Sequence, residues 1–181
     1  MINSFRFLAI LTFVILHAVP GHGQQLIPQP SELAYAEGRF TITPETVIVP
    51  HESDDLAGYL NDHIERVCGF RLRTVPHTPE TNYISLRRGG LGNEAYTLSI
   101  EPEHIIIRGG DRGGVFYGLQ TLFQLMPPEV YGQSVASAPQ PLTLDAVSVK
   151  DGPRYAYRGA MLDVSRTFFD KQAVMQYLDW M

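Results

Sequence analysis

Four charged side chains stand close together in RYAYRGAMLDVSRTFF, residues 154–169: Arg154, Arg158, Asp163 and Arg166, of which the last three flank an apolar run. A guanidinium presents its N–H donors in a planar fork, so Arg158 can hold two neighbouring hydroxyls, or one carboxylate, in fixed geometry. Strand spacing divides the set. With a period of two, Arg158 shares a face with Ala160, Leu162 and Val164, whereas Asp163 falls with Met161 and Ser165 on the other. Unless a bulge intervenes, Arg158 and Asp163 point opposite ways. Asp163 and Arg166 are therefore read as structural, a buried or half-buried ion pair or a loop anchor. On the residues alone, Arg158 is open between binding neighbouring hydroxyls and pairing with a carboxylate.

Other stretches that invite chemistry do not complete it. GGDRGG at 109–114 precedes an apolar helical pattern, but neither Lys-Ser nor Lys-Thr follows Gly114. The spacing of a phosphate-binding loop is missing, and the turn reads as a helix cap. His51, His63, His77 and His104 are scattered without metal-ligand spacing. There is no His-Glu-x-x-His and no Gly-x-Ser-x-Gly. No cofactor or metal is implied. The net charge of −5 carries no basic stripe, which argues against nucleic acid as a partner.

The elements that must position these residues can be read in order. With 181 residues, 44% hydrophobic and 18% charged, the composition is that of a globular chain with material for a core. Phe7 to Val19 is almost wholly apolar and follows Arg6. It is shorter than the roughly 20 residues of a membrane span, and Gly21 and Gly23 precede a cut after residue 23. Residues 1–23 are thus expected to be a signal peptide, with export to a periplasm or the outside and no membrane span after cleavage. Cys68 is the only cysteine, so an intrachain disulfide is impossible.

LIPQPSEL at 26–33 reads as a surface strap. Strands are expected at 38–43, 46–50, 70–75, 82–88, 95–101 and 103–109, with Pro102 in a hairpin turn, and 142–153 supply a last strand and a turn. Ser53 is expected to cap a helix with the stripe Leu56, Leu60, Ile64 and Val67, ended by Gly69. A second helix near 113–126 carries Val115, Leu119, Leu122 and Met126 on one face. Residues 24–150 are therefore expected to form an α+β domain, a mostly antiparallel sheet of about six strands with two helices on one face.

Residues 154–169 also carry a resemblance. An aromatic-Arg-Gly pair leading into Leu-Asp-x-x-Arg resembles the segment that opens the catalytic barrel of family 20 glycoside hydrolases, the β-N-acetylhexosaminidases. IPQP with GRF, YTLSI with IIIRG, and GGVFYGLQTLFQLM are similar to that family's non-catalytic N-terminal domain. The resemblance covers roughly residues 26–181 and implies that 151–181 begin a (β/α)8 barrel, with one strand and most of one helix supplied. It implies retaining removal of terminal β-linked N-acetylglucosamine or N-acetylgalactosamine from a glycan, with the substrate's 2-acetamido oxygen as nucleophile. It assigns Arg158 to sugar hydroxyls. The family's adjacent Asp-Glu pair occurs nowhere in the sequence, so no catalytic residue is assigned and the chain is expected to be an inactive fragment. Thr167 stands where relatives often have His. Two other readings stay open: a stand-alone support or carbohydrate-binding module, and another barrel glycosidase sharing the accessory domain.

Overall fold

The computed structural model describes residues 26–127 and 138–181. The expected signal peptide and part of the loop before residue 142 lie outside the described residues. The elements in order are β1 (Glu32–Ile42), β2 (Val47–Val49), α1 (Asp54–Cys68), β3 (Arg73–Thr74), β4 (Tyr83–Arg88), β5 (Tyr96–Glu101), β6 (His104–Gly109), α2 (Arg112–Gln124), β7 (Leu142–Asp151) and α3 (Lys171–Trp180). The seven strands form one sheet in the order β1-β7-β5-β6-β4-β2-β3.

Both long helices form where the apolar stripes place them. Leu56, Leu60, Ile64 and Val67 of α1, and Val115, Leu119 and Leu122 of α2, are all buried. The helices lie side by side on one face of the sheet. Phe123 of α2 stacks on His63 of α1 at 3.7 Å between ring centroids, and Tyr59 packs 5.5 Å from Phe116. Beneath them lie Ile84, Leu86, Leu98, Ile100, Ile105 and Ile107, each at most 1% exposed. Burial of one such side chain contributes about 1.5–3 kcal/mol.

The ends of α1 are capped unequally. Gly69 adopts φ 76° and donates its N–H to the carbonyl of Glu65, the left-handed stop that glycine makes without steric cost. Ser53 occupies the N-cap position, but its hydroxyl makes no capping bond. The hydroxyl is turned inward, and the first turn relies instead on the Ser53 carbonyl, which accepts from Ala57 N.

The sheet corrects the expectation of a mostly antiparallel layer. β1–β7, β7–β5 and β5–β6 are antiparallel, whereas β6–β4, β4–β2 and β2–β3 are parallel. The reason is connectivity. α1 carries the chain back to the end at which β2 began, so β3 must run in the same direction beside it. The β5–β6 hairpin then sets β6, the returning strand, against β4. The strand expected at 70–75 shrinks to two residues. Asn61 takes both backbone groups of Leu72, donating Nδ2–H to its carbonyl at 2.9 Å and accepting from its N–H at 2.8 Å. Those groups are then not offered to a ladder. β1 starts earlier than expected, because Glu32 to Tyr35 pair with Val147 to Lys150 before an irregularity ahead of Arg39.

The strand expected at the start of the second unit is not formed. Residues 157–163 have no regular secondary structure, and Tyr157 and Met161 are 87% and 89% exposed. A strand needs at least one ladder partner, and among the described residues none pairs with this stretch. The helix expected after it is present as α3, capped by Asp170, whose carboxylate accepts from Ala173 N.

Candidate substrate-contact site around Arg158

Arg158 folds back onto the sheet domain. One terminal nitrogen donates to Glu94 Oε2 at 2.8 Å and lies 3.3 Å from the Tyr117 hydroxyl. The other donates to the Tyr155 carbonyl at 2.9 Å. The guanidinium carbon stands 5.8 Å from the centre of the Tyr117 ring, within cation–π range. The carboxylate-pairing alternative for Arg158 is thus the arrangement seen here, although its partner comes from the sheet domain. Hydrogen bonds to Glu94 and then to Tyr117 raise the pKa of an already permanent cation. The cleft beside it, of about 430 Å³, is lined by Pro28, Glu94, Tyr96, Tyr117, Tyr155 and Arg158 among others.

Sequence reasoning singled out neither Glu94 nor Tyr117, and both are set in place by the glycine-rich turn. Asp111 Oδ1 accepts from Gly114 N at 2.8 Å, capping α2, while Oδ2 accepts from Glu94 N at 3.1 Å. Glu94 is held at φ 58°, and its Oε1 lies 3.3 Å from the Tyr117 hydroxyl. The glycines allow the 91–95 loop to approach. A Cβ on Gly114 would run into the Ala95 carbonyl, and one on Gly110 into that of Gly92. GGDRGG is therefore a packing and capping device. The available signal was its density of glycine, which marks close approach by another segment.

Asp163 and Arg166 do not join the site. Asp163 Oδ1 accepts from the backbone N–H groups of Ser165 and Arg166 at 2.9 and 3.2 Å, closing a turn. Arg166 Nε is 3.4 Å from Asp163 Oδ2 and the arginine is 90% exposed, so the loop-anchor reading fits and burial of the pair does not. Among the described residues, no three His, Cys, Asp or Glu side chains form a metal-binding group.

Comparison with known proteins places the chain in a family. Residues 23–152 match the family model for glycosyl hydrolase family 20, domain 2. The chain is 32% identical over 165 residues to a beta-hexosaminidase of Porphyromonas gingivalis, covering 88% of this chain and 21% of the relative. It is 31% identical to the N,N'-diacetylchitobiase of Vibrio harveyi, covering 86% and 17%. Among solved structures, the Streptomyces plicatus N-acetyl-beta-hexosaminidase superposes with a TM-score of 0.71 at 33% identity, covering 87% of this chain and 32% of that one. The chain thus spans about a fifth of the length of these curated relatives. The family match covers the sheet and both helices that pack on it, and on that ground the chain belongs to glycosyl hydrolase family 20.

Proposed function

We propose that this chain is the N-terminal part of an exported β-N-acetylhexosaminidase, a retaining, substrate-assisted hydrolase of terminal β-linked N-acetylglucosamine or N-acetylgalactosamine. The family match over residues 23–152 carries the reading. Arg158 is the residue of this chain that contacts sugar. Its fork suits two adjacent hydroxyls, and Glu94 with Tyr117 holds the guanidinium when no sugar is bound. The acid and the carboxylate that orients the acetamido group come from sequence beyond this chain, which has no Asp-Glu pair. Residues 151–181 then begin the barrel, and neighbouring barrel strands cover the exposed Tyr157, Met161 and Phe168.

The test compares this chain with the whole protein on an aryl β-N-acetylglucosaminide. The whole protein should hydrolyse it with retention, and this chain alone should not. In the whole protein, Arg158→Lys should lower kcat/KM by roughly ten- to hundred-fold with an unchanged melting temperature, because lysine keeps the charge and loses the fork. A lower melting temperature with near-normal kinetics, reproduced by Glu94→Gln, would instead make Arg158 a structural partner of Glu94.

A further inference from the structure

The face of the sheet opposite the helices carries a second cluster, unconnected with Arg158. Arg87 of β4 and Arg108 of β6 are direct neighbours in the parallel ladder. Alternation sends both to the open face, since Leu86 and Ile107 beside them are in the core. Adjacent strands lie about 4.8 Å apart, so two guanidinium side chains leave the sheet side by side, an unfavourable pairing of like charges. Among the described residues neither Arg87 nor Arg108 forms an ion pair with a carboxylate. Together with His51, Glu52 and Arg88 they line a cleft of about 370 Å³.

The cleft is organised from below. Ser85, fully buried, accepts from Arg87 Nε at 3.0 Å, and its hydroxyl lies 3.1 Å from His51 Nε2. That contact uses one N–H of Arg87 and leaves its two terminal amino groups for a ligand. His51 itself sits at φ 49°, the left-handed region that histidine enters uncommonly. Arg88 donates to the Glu52 backbone carbonyl. Glu52 is the one carboxylate lining the cleft; it lies 3.7 Å from Arg88 and is 84% exposed, so it offsets little of the positive charge. The cluster stands where β2, β4 and β6 all end, and the carboxyl ends of parallel strands are where open sheets form ligand crevices.

We propose that His51, Arg87, Arg88 and Arg108 form a binding site for a compact oxyanion, a sulfate, phosphate or carboxylate, either free or carried on an acidic sugar. Three guanidinium groups around one cleft match an oxyanion by charge and by paired N–H donors. The bound anion would offset the repulsion between Arg87 and Arg108 that the fold otherwise bears. This inference concerns a site on the non-catalytic domain and does not depend on the hydrolase reading.

Calorimetric titration with sodium sulfate at low ionic strength tests it. Saturable binding and a sulfate-dependent rise in melting temperature are expected. The Arg87→Gln/Arg108→Gln double variant should bind sulfate roughly ten- to hundred-fold more weakly. Without sulfate it should melt no lower than the parent, since a like-charge pair has been removed. Arg39→Gln, on the same face but paired with Asp145, should leave binding unchanged. Parallel titrations with 6-O-sulfo-N-acetylglucosamine and with neutral N-acetylglucosamine separate the sources: tighter binding of the sulfated sugar than of sulfate assigns an acidic glycan, and equal binding assigns the free ion. Absence of saturable sulfate binding, or equal binding by parent and double variant, overturns the site.

Discussion

Gly110→Ala should destabilise the protein by about 3 kcal/mol, the upper end of ordinary overpacking costs. The added methyl would collide with the Gly92 carbonyl and lie 2.9 Å from the Leu91 carbonyl oxygen. Both are backbone atoms, so no side-chain rotation relieves the clash. Retreat of the 91–95 loop would break the bond from Gly110 N to the Ala95 carbonyl at 2.8 Å. It would also pull Glu94 N from Asp111, whose carboxylate caps α2. Gly92→Ala is the control: a Cβ there meets nothing within 4 Å, and its effect should stay within about 0.5 kcal/mol. Urea denaturation of the two variants decides the matter. Equal midpoints would show that the turn yields freely and that its glycines are not needed for close packing.

Acidification should cost the protein about 2 kcal/mol of stability between pH 7 and pH 5 and about 3 kcal/mol by pH 4, through His63. This imidazole is buried between α1 and α2, stacked on Phe123, and lies 3.3 Å through Nδ1 from the Arg66 guanidinium. Burial first, and then the Arg66 charge, push its pKa down from 6.5 to about 4. The folded state therefore binds fewer protons than the unfolded chain between those values. The stabilisation is complete above 6.5 and is lost as pH falls toward 4, at about 1.4 kcal/mol for each pH unit between them. His51 is depressed in the same direction by partial burial and by Arg87, but it faces solvent. His63→Gln removes the buried imidazole alone. Its stability should fall far less than the parent's from pH 7 to pH 5, and parallel curves for the two proteins would rule His63 out as the cause.

Much of the layer was legible because its signals are local. The stripe from Leu56 to Val67, the stop at Gly69 and the turn at Pro102–Glu103 depend on periodicity and on backbone preferences that act over a few residues. The parallel half of the sheet was also foreshadowed, since a strand, a helix and a further strand occur in succession between Val47 and Thr74. The strand expected at 70–75 shortens because Asn61 competes for the Leu72 backbone groups from eleven residues away. Alternation of apolar and polar residues cannot report such a competitor. Arg158 was marked by its motif, yet its partners Glu94 and Tyr117 lie 64 and 41 residues away in the chain.

By itself the sequence determined the family, the helices and most strand positions, because apolar period, glycine and proline act through neighbouring residues. Beyond the β5–β6 hairpin, only the tertiary structure decided which strands are partners, and with them which charges meet. Arg87 and Arg108 become neighbours because β6, rather than β5, returns beside β4. Glu94 meets Arg158 because Asp111 and close-packed glycines bring the 91–95 loop against the start of α2. Those encounters follow from strand order and from which backbones can approach, quantities set by the packing of the whole sheet and carried by no single segment.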